Sequence, residues 1–234
     1  MDNFEGKKAL ITGGSRGIGA SIVEDLQNRG CEVWYTSRSD ESSKNHIKVD
    51  FLDRVSVRNF ESIISEMDFN ICINNAGINK VSPILDFEES DWRDIIEVNL
   101  NVPFLVCRAV IPGMKRIGSG KILNVSSIWG TIGKEGRSAY AASKFGIRGL
   151  TLALADELAE NNILVNTIAP GFTETDLTER ILGKEGMDAI ASKIPMKRLA
   201  KAGEISKAAL FLVSDDNSYI TGQHIVVDGG FTNV

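Results

Sequence analysis

Lys8-Ala-Leu-Ile-Thr12 runs without interruption into Gly13-Gly-Ser-Arg-Gly-Ile-Gly19, and the reading of these twelve residues decides the fold. The first five are apolar enough for a short buried strand. Glycines at 13, 17 and 19 suit a strand-to-helix turn in which backbone must approach a ligand closely. The helix expected from Gly17 to about Arg29 carries Ile18, Ile22, Val23 and Leu26 on one stripe and points its N-terminus, with its unpaired N–H groups, at an anion. A second strand follows at Glu32-Val-Trp-Tyr-Thr-Ser37. A glycine-rich turn alone is as compatible with a tight turn that binds nothing. Between two strands and before an amphipathic helix it reads as a cradle for a dinucleotide pyrophosphate, with Gly13, Ser15, Arg16, Gly17, Ile18 and Gly19 as candidate contacts.

Outward from this unit the pattern keeps alternating. Ile47–Asp50 is expected as a strand, Asp53 to Met67 as a helix, and Asn70–Ile73 as a strand. A long helix from about Glu88 to Arg116, kinked near Pro103, leads to a strand ending at Ser126. A helix from Ser138 to about Asn161 leads to Ile163–Ile168, and His224–Asp228 is the last strand. Nearly continuous apolar strands separated by helices imply a parallel sheet covered on both faces. The expectation is α/β: one domain, residues 1–234, Rossmann-type and doubly wound, with about seven strands ordered 3-2-1-4-5-6-7. Only nine residues, Arg38 to His46, join the second and third strands, too few for a crossover helix. A loop or single turn is expected there, leaving that edge of an adenosine site open.

The bulk numbers restrict the function classes. At 234 residues, 43% hydrophobic and 24% charged, the chain is long enough for one substantial core. Acids exceed bases 31 to 26, for a net charge of −5, and no lysine or arginine block offers a surface to nucleic acid or anionic membrane. No uncharged apolar run is long enough to span a bilayer. The acidic opening Met1-Asp-Asn-Phe-Glu5 leaves no room for a basic, apolar signal, so a cytoplasmic location is expected. Cys31, Cys72 and Cys107 are read as reduced core residues, and no Cys pair or His cluster has metal-ligand spacing.

Chemistry enters with Tyr140 and Lys144, one helical turn apart, and with a serine thirteen positions upstream of Tyr140 at the end of Lys121-Ile-Leu-Asn-Val-Ser-Ser127. Spacing of four puts both side chains on one helix face, where an ammonium favours the phenolate. Tyr35 and Tyr219 are followed at that distance by Ser39 and Gln223. The pair alone is also what any exposed helix can carry.

Together with the glycine turn, these residues make the chain resemble the short-chain dehydrogenase/reductases, most closely the 3-oxoacyl-acyl-carrier-protein reductase type, along essentially its whole length. The marks are Thr12-Gly13-x3-Gly17-x-Gly19, Asn74-Asn-Ala-Gly77, Asn99, Ser127, Tyr140-x3-Lys144, Pro170-Gly-Phe-Thr-Glu-Thr-Asp176 and Tyr219-Ile-Thr-Gly-x6-Gly-Gly230. The resemblance implies a reduction in which Tyr140 is the general acid, Ser127 gives a second hydrogen bond to the carbonyl oxygen, and Asn99 anchors a water that relays protons to Lys144. Lys144 would also hold the nicotinamide ribose and lower the tyrosine's pKa. Bringing a phenol from about 10 to about 7 takes roughly 4 kcal/mol, which demands a partly desolvated site. Asn74, Ala76 and Gly77 would meet the cofactor where the fourth strand ends, and Pro170, Gly171, Thr173 and Thr175 would face the nicotinamide. Asp50 is expected at the adenine amino group, its alternative being the N-cap of the helix holding Val55. Residues 174–196 are expected to form a substrate lid, the alternative being an exposed helical hairpin.

The second strand ends Thr36-Ser37-Arg38 without a carboxylate, so Ser37, Arg38 and Arg16 favour NADP(H) over NAD(H) by pairing with a ribose 2′-phosphate, although Asp40 and Glu41 follow. Reductases of this type place basic residues before the serine strand and before the sixth strand to meet an acidic carrier. Here those positions are Gly118 and Asn161, with Arg116 and Lys121 only nearby. The substrate is therefore a carrier-bound thioester or, alternatively, a small ketone, hydroxy acid or sugar-like carbonyl compound. Trp129 is expected to wall its pocket or simply to pack beneath the lid. A non-catalytic dinucleotide sensor on the same fold is the remote reading, disfavoured because Asn99, Ser127, Tyr140 and Lys144 are all present. Ala142, Phe145, Ile147, Leu150, Leu152, Ala153, Leu154 and Leu158 spread over more than one helix face, and with the resemblance they imply a homotetramer.

Overall fold

The computed structural model describes residues 4–39 and 42–233, apart from the side chains of Asp176 and Leu177. Asp40 and Glu41, the acids beyond Arg38, lie outside the described residues. In chain order the elements are β1 (Lys8–Thr12), α1 (Gly17–Gln27), β2 (Glu32–Ser37), β3 (His46–Lys48), α2 (Arg54–Ser65), β4 (Ile71–Asn74), α3 (Glu89–Ile96), α4 (Val102–Ile117), β5 (Gly120–Val125), α5 (Ser138–Leu158), β6 (Ile163–Pro170), β7 (Thr173–Glu174), α6 (Asp176–Lys193), β8 (Ala200–Lys201), α7 (Ala202–Val213) and β9 (His224–Val227). Seven strands form one parallel sheet ordered β3-β2-β1-β4-β5-β6-β9, the doubly wound order expected.

Both faces of the sheet are covered, which is why β4 and β6 are buried at every position. On one face Ala9, Ile11, Ile73 and Leu123 pack against Ile22 and Leu26 of α1 and Ile205, Ala209 and Leu210 of α7. On the other, Leu10, Cys72 and Ile122 pack against Phe60 and Ile64 of α2, Val106, Val110 and Met114 of α4, and Ala155 and Leu158 of α5. The connection from β1 turns to the first face and that from β4 to the second. A crevice therefore opens between the C-terminal ends of β1 and β4.

Four details depart from the sequence reading. The residues between β2 and β3 that the structure describes hold no helix, as expected, but β3 is only three residues long. The irregularity in the long helix is a π-helical turn, Glu97–Asn101, one turn before Pro103. Its five-residue spacing rotates Asn99 inward, and α3, this turn and α4 continue as a 29-residue rod from Glu89 to Ile117. That rod has the length and apolar content of a bilayer span, yet Val98, Val102, Val106, Val110 and Met114 along it lie in the core. Residues 174–196 are mainly helix α6, broken at Gly183 (φ 63, ψ 176). A separate two-stranded sheet, β7 with β8, ties the start of this segment to the chain after it.

Candidate active site

A cavity of about 650 Å³ fills the crevice. Gly13, Ser15, Arg16, Gly17, Ile18 and Gly19 line one wall, and Ser37, Arg38 and Asp50 line its end beyond β2 and β3. Ala76, Gly77, Ser127, Tyr140, Lys144, Pro170, Gly171, Thr173 and Thr175 line the rest. Of the residues singled out from sequence, only Asn74 and Asn99 are not on its surface.

The glycine turn is shaped by close approach. A Cβ at Gly19 would stand 2.1 Å from the Gly13 carbonyl oxygen, so α1 can begin directly beneath the turn only with glycine there. Gly13 takes φ +68, its N–H is accepted by the Thr36 hydroxyl at 3.0 Å, and a Cβ on it would meet the Ala76 backbone at 3.0 Å. The turn is thus pinned to the ends of β2 and β4, with the N-terminus of α1 facing the cavity. Arg16 is the N-cap residue and makes no side-chain cap bond. Arg16, Arg38 and Asp50 are exposed on the rim. The N-cap of α2 is Asp53, whose carboxylate accepts from Val55 N at 2.9 Å, and Asp50 instead accepts from Leu52 N at 3.0 Å. The capping role considered for Asp50 belongs to its neighbour three residues on.

Asn74 needs correction as a cavity residue. The register of β4 on β5 sets Asn74 opposite Asn124, and the Asn74 amide donates to Asn124 Oδ1 at 2.8 Å and to Cys107 Sγ at 3.4 Å. Side chains alternate along a strand, so its successor Asn75 faces the cavity. Asn75 donates to the carbonyls of Thr12 and Gly13 at 3.0 and 2.9 Å, while Thr12 Oγ1 accepts from the N–H groups of Asn75 and Ala76. These bonds lock the two cofactor-side turns together. Thr12 and Asn75 were not singled out for this role from sequence.

Asn99 is 1% exposed, which rules out a helix-surface asparagine. Its Oδ1 accepts from Ile78 N at 2.8 Å, and its Nδ2 donates to Ile78 O at 2.9 Å and to Ser143 Oγ at 3.1 Å. The side chain clamps the segment carrying Gly77 against α5. Pro103 lacks the N–H that would meet the Asn99 carbonyl four residues back.

Ser127 ends the β5 segment and caps a short 3₁₀ turn, its Oγ accepting from Trp129 N at 3.3 Å. The same hydroxyl acts on the Tyr140 phenol, lowering its pKa. Lys144 is 4% exposed, and its Nζ donates to the Val125 carbonyl at 2.8 Å and lies 5.5 Å from the Tyr140 ring centroid. Burial lowers the lysine pKa to about 8. The tyrosine does not follow the sequence expectation: burial raises it above the usual phenol range, and the opposing effects come from the Ser127 hydroxyl and from Arg137. The ammonium is turned to a backbone carbonyl, and the cation acting on the phenol is one that sequence reading passed over. Its signal was a basic residue three positions before the tyrosine, just ahead of α5.

Trp129 both lines the cavity and packs, its ring edge-on to Phe172 (6.1 Å) and Phe231 (6.4 Å). From α6, Thr178, Arg180, Ile181 and Leu182 reach the cavity. An elongated crevice of this volume, a helix N-terminus under a glycine turn, and a buried Asn79 Oδ1 on the cavity wall without a protein partner together fit a dinucleotide. Among the described residues no three His, Cys, Asp or Glu side chains converge as metal ligands would.

Comparison with known proteins agrees with this geometry. Residues 13–232 match the family model described as enoyl-(acyl carrier protein) reductase. The 3-oxoacyl-[acyl-carrier-protein] reductase FabG of Salmonella typhimurium is 40% identical over 97% of this chain and 98% of its own. Among solved structures, a provisionally assigned NAD(P)-dependent gluconate 5-dehydrogenase from Beutenbergia cavernae, with bound NADP, superposes with a TM-score of 0.94 at 30% identity over 99% of both chains. A gluconate 5-dehydrogenase from Burkholderia cenocepacia, in complex with NADP and tartrate, gives 0.92 at 31% identity over 99% of this chain and 97% of that one.

Proposed function

The chain belongs to the short-chain dehydrogenase/reductase family, and from that premise we propose that it is an NADPH-dependent reductase converting a carbonyl to a secondary alcohol. The observation that supports this most is one cavity lined by Ser127, Tyr140 and Lys144 at one end and by the glycine cradle along its wall. The bound dinucleotide supplies hydride. Tyr140 donates a hydrogen bond to the carbonyl oxygen and then its proton to the developing alkoxide, while Ser127 donates the second hydrogen bond. The charge of the phenolate left behind is favoured by the Arg137 guanidinium. Asn99 acts as a positioning residue, holding the Gly77 segment in place.

NADP(H) is preferred because Arg16 and Arg38 stand on the rim without a described carboxylate at the end of β2. The hairpin of residues 174–196 acts as the lid over a single catalytic domain. A cytoplasmic location is supported by three cysteines that are all buried and unpaired. A homotetramer is supported by Phe104, Phe145 and Leu152, large apolar side chains exposed on α4 and α5.

On substrate, two observations pull apart. Identity to FabG favours a carrier-bound 3-oxoacyl thioester. The surface favours a small, carrier-free compound, whether a ketone, a hydroxy acid or a sugar-like carbonyl compound. Gly118 and Asn161 offer no charge, Arg116 is paired with Asp68 at 2.7 Å, and the Lys121 ammonium is turned to the Asn217 carbonyl. We adopt the carrier-free reading. Its test is NADPH oxidation, with NADH alongside, over an acetoacetyl thioester, β-keto esters, simple ketones, keto acids and keto sugars. Turnover of the small compounds is expected, and turnover confined to the thioester would return the carrier-protein reading.

A further inference from the structure

We propose that Arg137 anchors the substrate, and that the substrate carries a carboxylate close to its reacting carbon: a keto acid or hydroxy acid, not a neutral ketone or thioester. The inference rests on the carbonyl-reductase reading above and specifies its substrate class.

Arg137 is the residue before α5, three positions ahead of Tyr140, and lines the cavity beside it. Its guanidinium lies 6.0 Å from the centre of the Trp129 ring, and that ring is itself packed edge-on against Phe172 and Phe231. The planar fork is therefore held on an aromatic face at the reaction end. Among the described residues no carboxylate pairs with it. Glu135, the nearest acid in sequence, has a side chain 92% exposed and lies 3.7 Å from the Lys134 ammonium. Among the described residues the only carboxylate lining the cavity is that of Asp50, just after β3. Four strand spacings separate β3 from β5, about 19 Å across the sheet. Tyr140, its electrostatic neighbour, is kept in the neutral phenol form by burial.

A guanidinium half removed from water without an acid partner loses hydration and regains little, and the direction of the Arg137 pKa, lowered by burial, reflects that. A carboxylate delivered by the ligand would restore the missing partner through two parallel N–H···O bonds. Such a group must sit near the carbonyl, because the arginine neighbours the proton donor. A carrier thioester presents only neutral atoms there, since the phosphate of its arm lies at the far end.

Matched pairs test this. Initial rates are compared for acetoacetate against methyl acetoacetate in reduction, and gluconate against sorbitol in oxidation, for the parent, Arg137→Lys and Arg137→Gln. Within at least one pair the acid is expected to have the higher kcat/KM, with the acid-to-neutral ratio falling on the order of 30- to 100-fold in Arg137→Gln and less in Arg137→Lys. Taking the ratio within each variant removes any general loss of folded protein. Calorimetric titration of the same four compounds into the NADP⁺-saturated protein gives a readout independent of turnover, and acid binding weakened in Arg137→Gln is the expected result. Neutral members equal to or better than acids in both pairs, or an acid preference that survives Arg137→Gln, overturns the anchor. Absence of turnover in every pair, with arginine-dependent acid binding intact, instead overturns the reductase reading and leaves the anchor standing.

Discussion

The two ends of the cavity are built on different terms. At the reaction end Ser127 and Lys144 are buried, sit at the end of β5 and inside α5, and are fixed by bonds to Trp129 N and the Val125 carbonyl. At the adenosine end Arg16, Arg38 and Asp50 are exposed and lie in turns. Proton transfer needs groups held to a fraction of an ångström in a desolvated site, which regular elements and burial supply. Recognition of a phosphate, the role proposed for the rim, needs only charge within reach, which an exposed arginine supplies. The first end is therefore costly to maintain and hard to vary, whereas the second can change cofactor preference without disturbing the core.

Three substitutions sharpen or break this contrast. The largest effect is expected for Tyr140→Phe, which keeps the ring and removes the acid: kcat should fall on the order of 10³-fold with little change in Tm. Steady-state kinetics and thermal melting check it, and a variant retaining most of its kcat would sink the proposed acid.

Lys144→Met comes next and separates activity from stability. Below its folded pKa of about 8 the lysine is a buried charge, whereas the unfolded chain holds its proton up to the ordinary 10.5. Between those values the unfolded state binds more protons, so stability rises with pH, by up to about 3 kcal/mol. The variant is expected to lose that rise. Near pH 7 it should be more stable than the parent by roughly 1–2 kcal/mol, after loss of the bond to the Val125 carbonyl, while kcat/KM falls on the order of 10²-fold. Urea unfolding at pH 7 and pH 10 reads both signs, and a parent whose stability is flat across that interval contradicts the buried charge.

The smallest effect belongs to the rim. Arg38→Ala is expected to raise KM for NADPH roughly tenfold, leave that for NADH in place, and do nothing to Tm. Equal loss with both cofactors would place Arg38 in the fold and not in phosphate recognition.

How much of this was legible beforehand follows the same division. The glycine turn, Arg16, Arg38, Ser127, Tyr140 and Lys144 announce themselves through local spacing, because a turn, a strand end and one helix face are each set by neighbours in the chain. Asn74 and Asn75 are chemically identical and adjacent, and only the pairing of β4 with β5 settles which of them points into the cavity. Asn99 is turned inward by a π-helical turn that no periodicity advertises. Arg137 reads as one more surface arginine until Trp129 comes beneath it from the turn after β5.

Sequence alone made legible the doubly wound parallel sheet and the candidate reacting groups, since alternation of apolar runs and spacing along one element are short-range properties. Tertiary structure alone decided what surrounds those groups: that burial raises the Tyr140 phenol, that the Lys144 ammonium turns to Val125, and that Arg137 has no acid partner among the described residues. Desolvation and charge pairing depend on atoms far apart in the chain, and only the folded protein brings them within range.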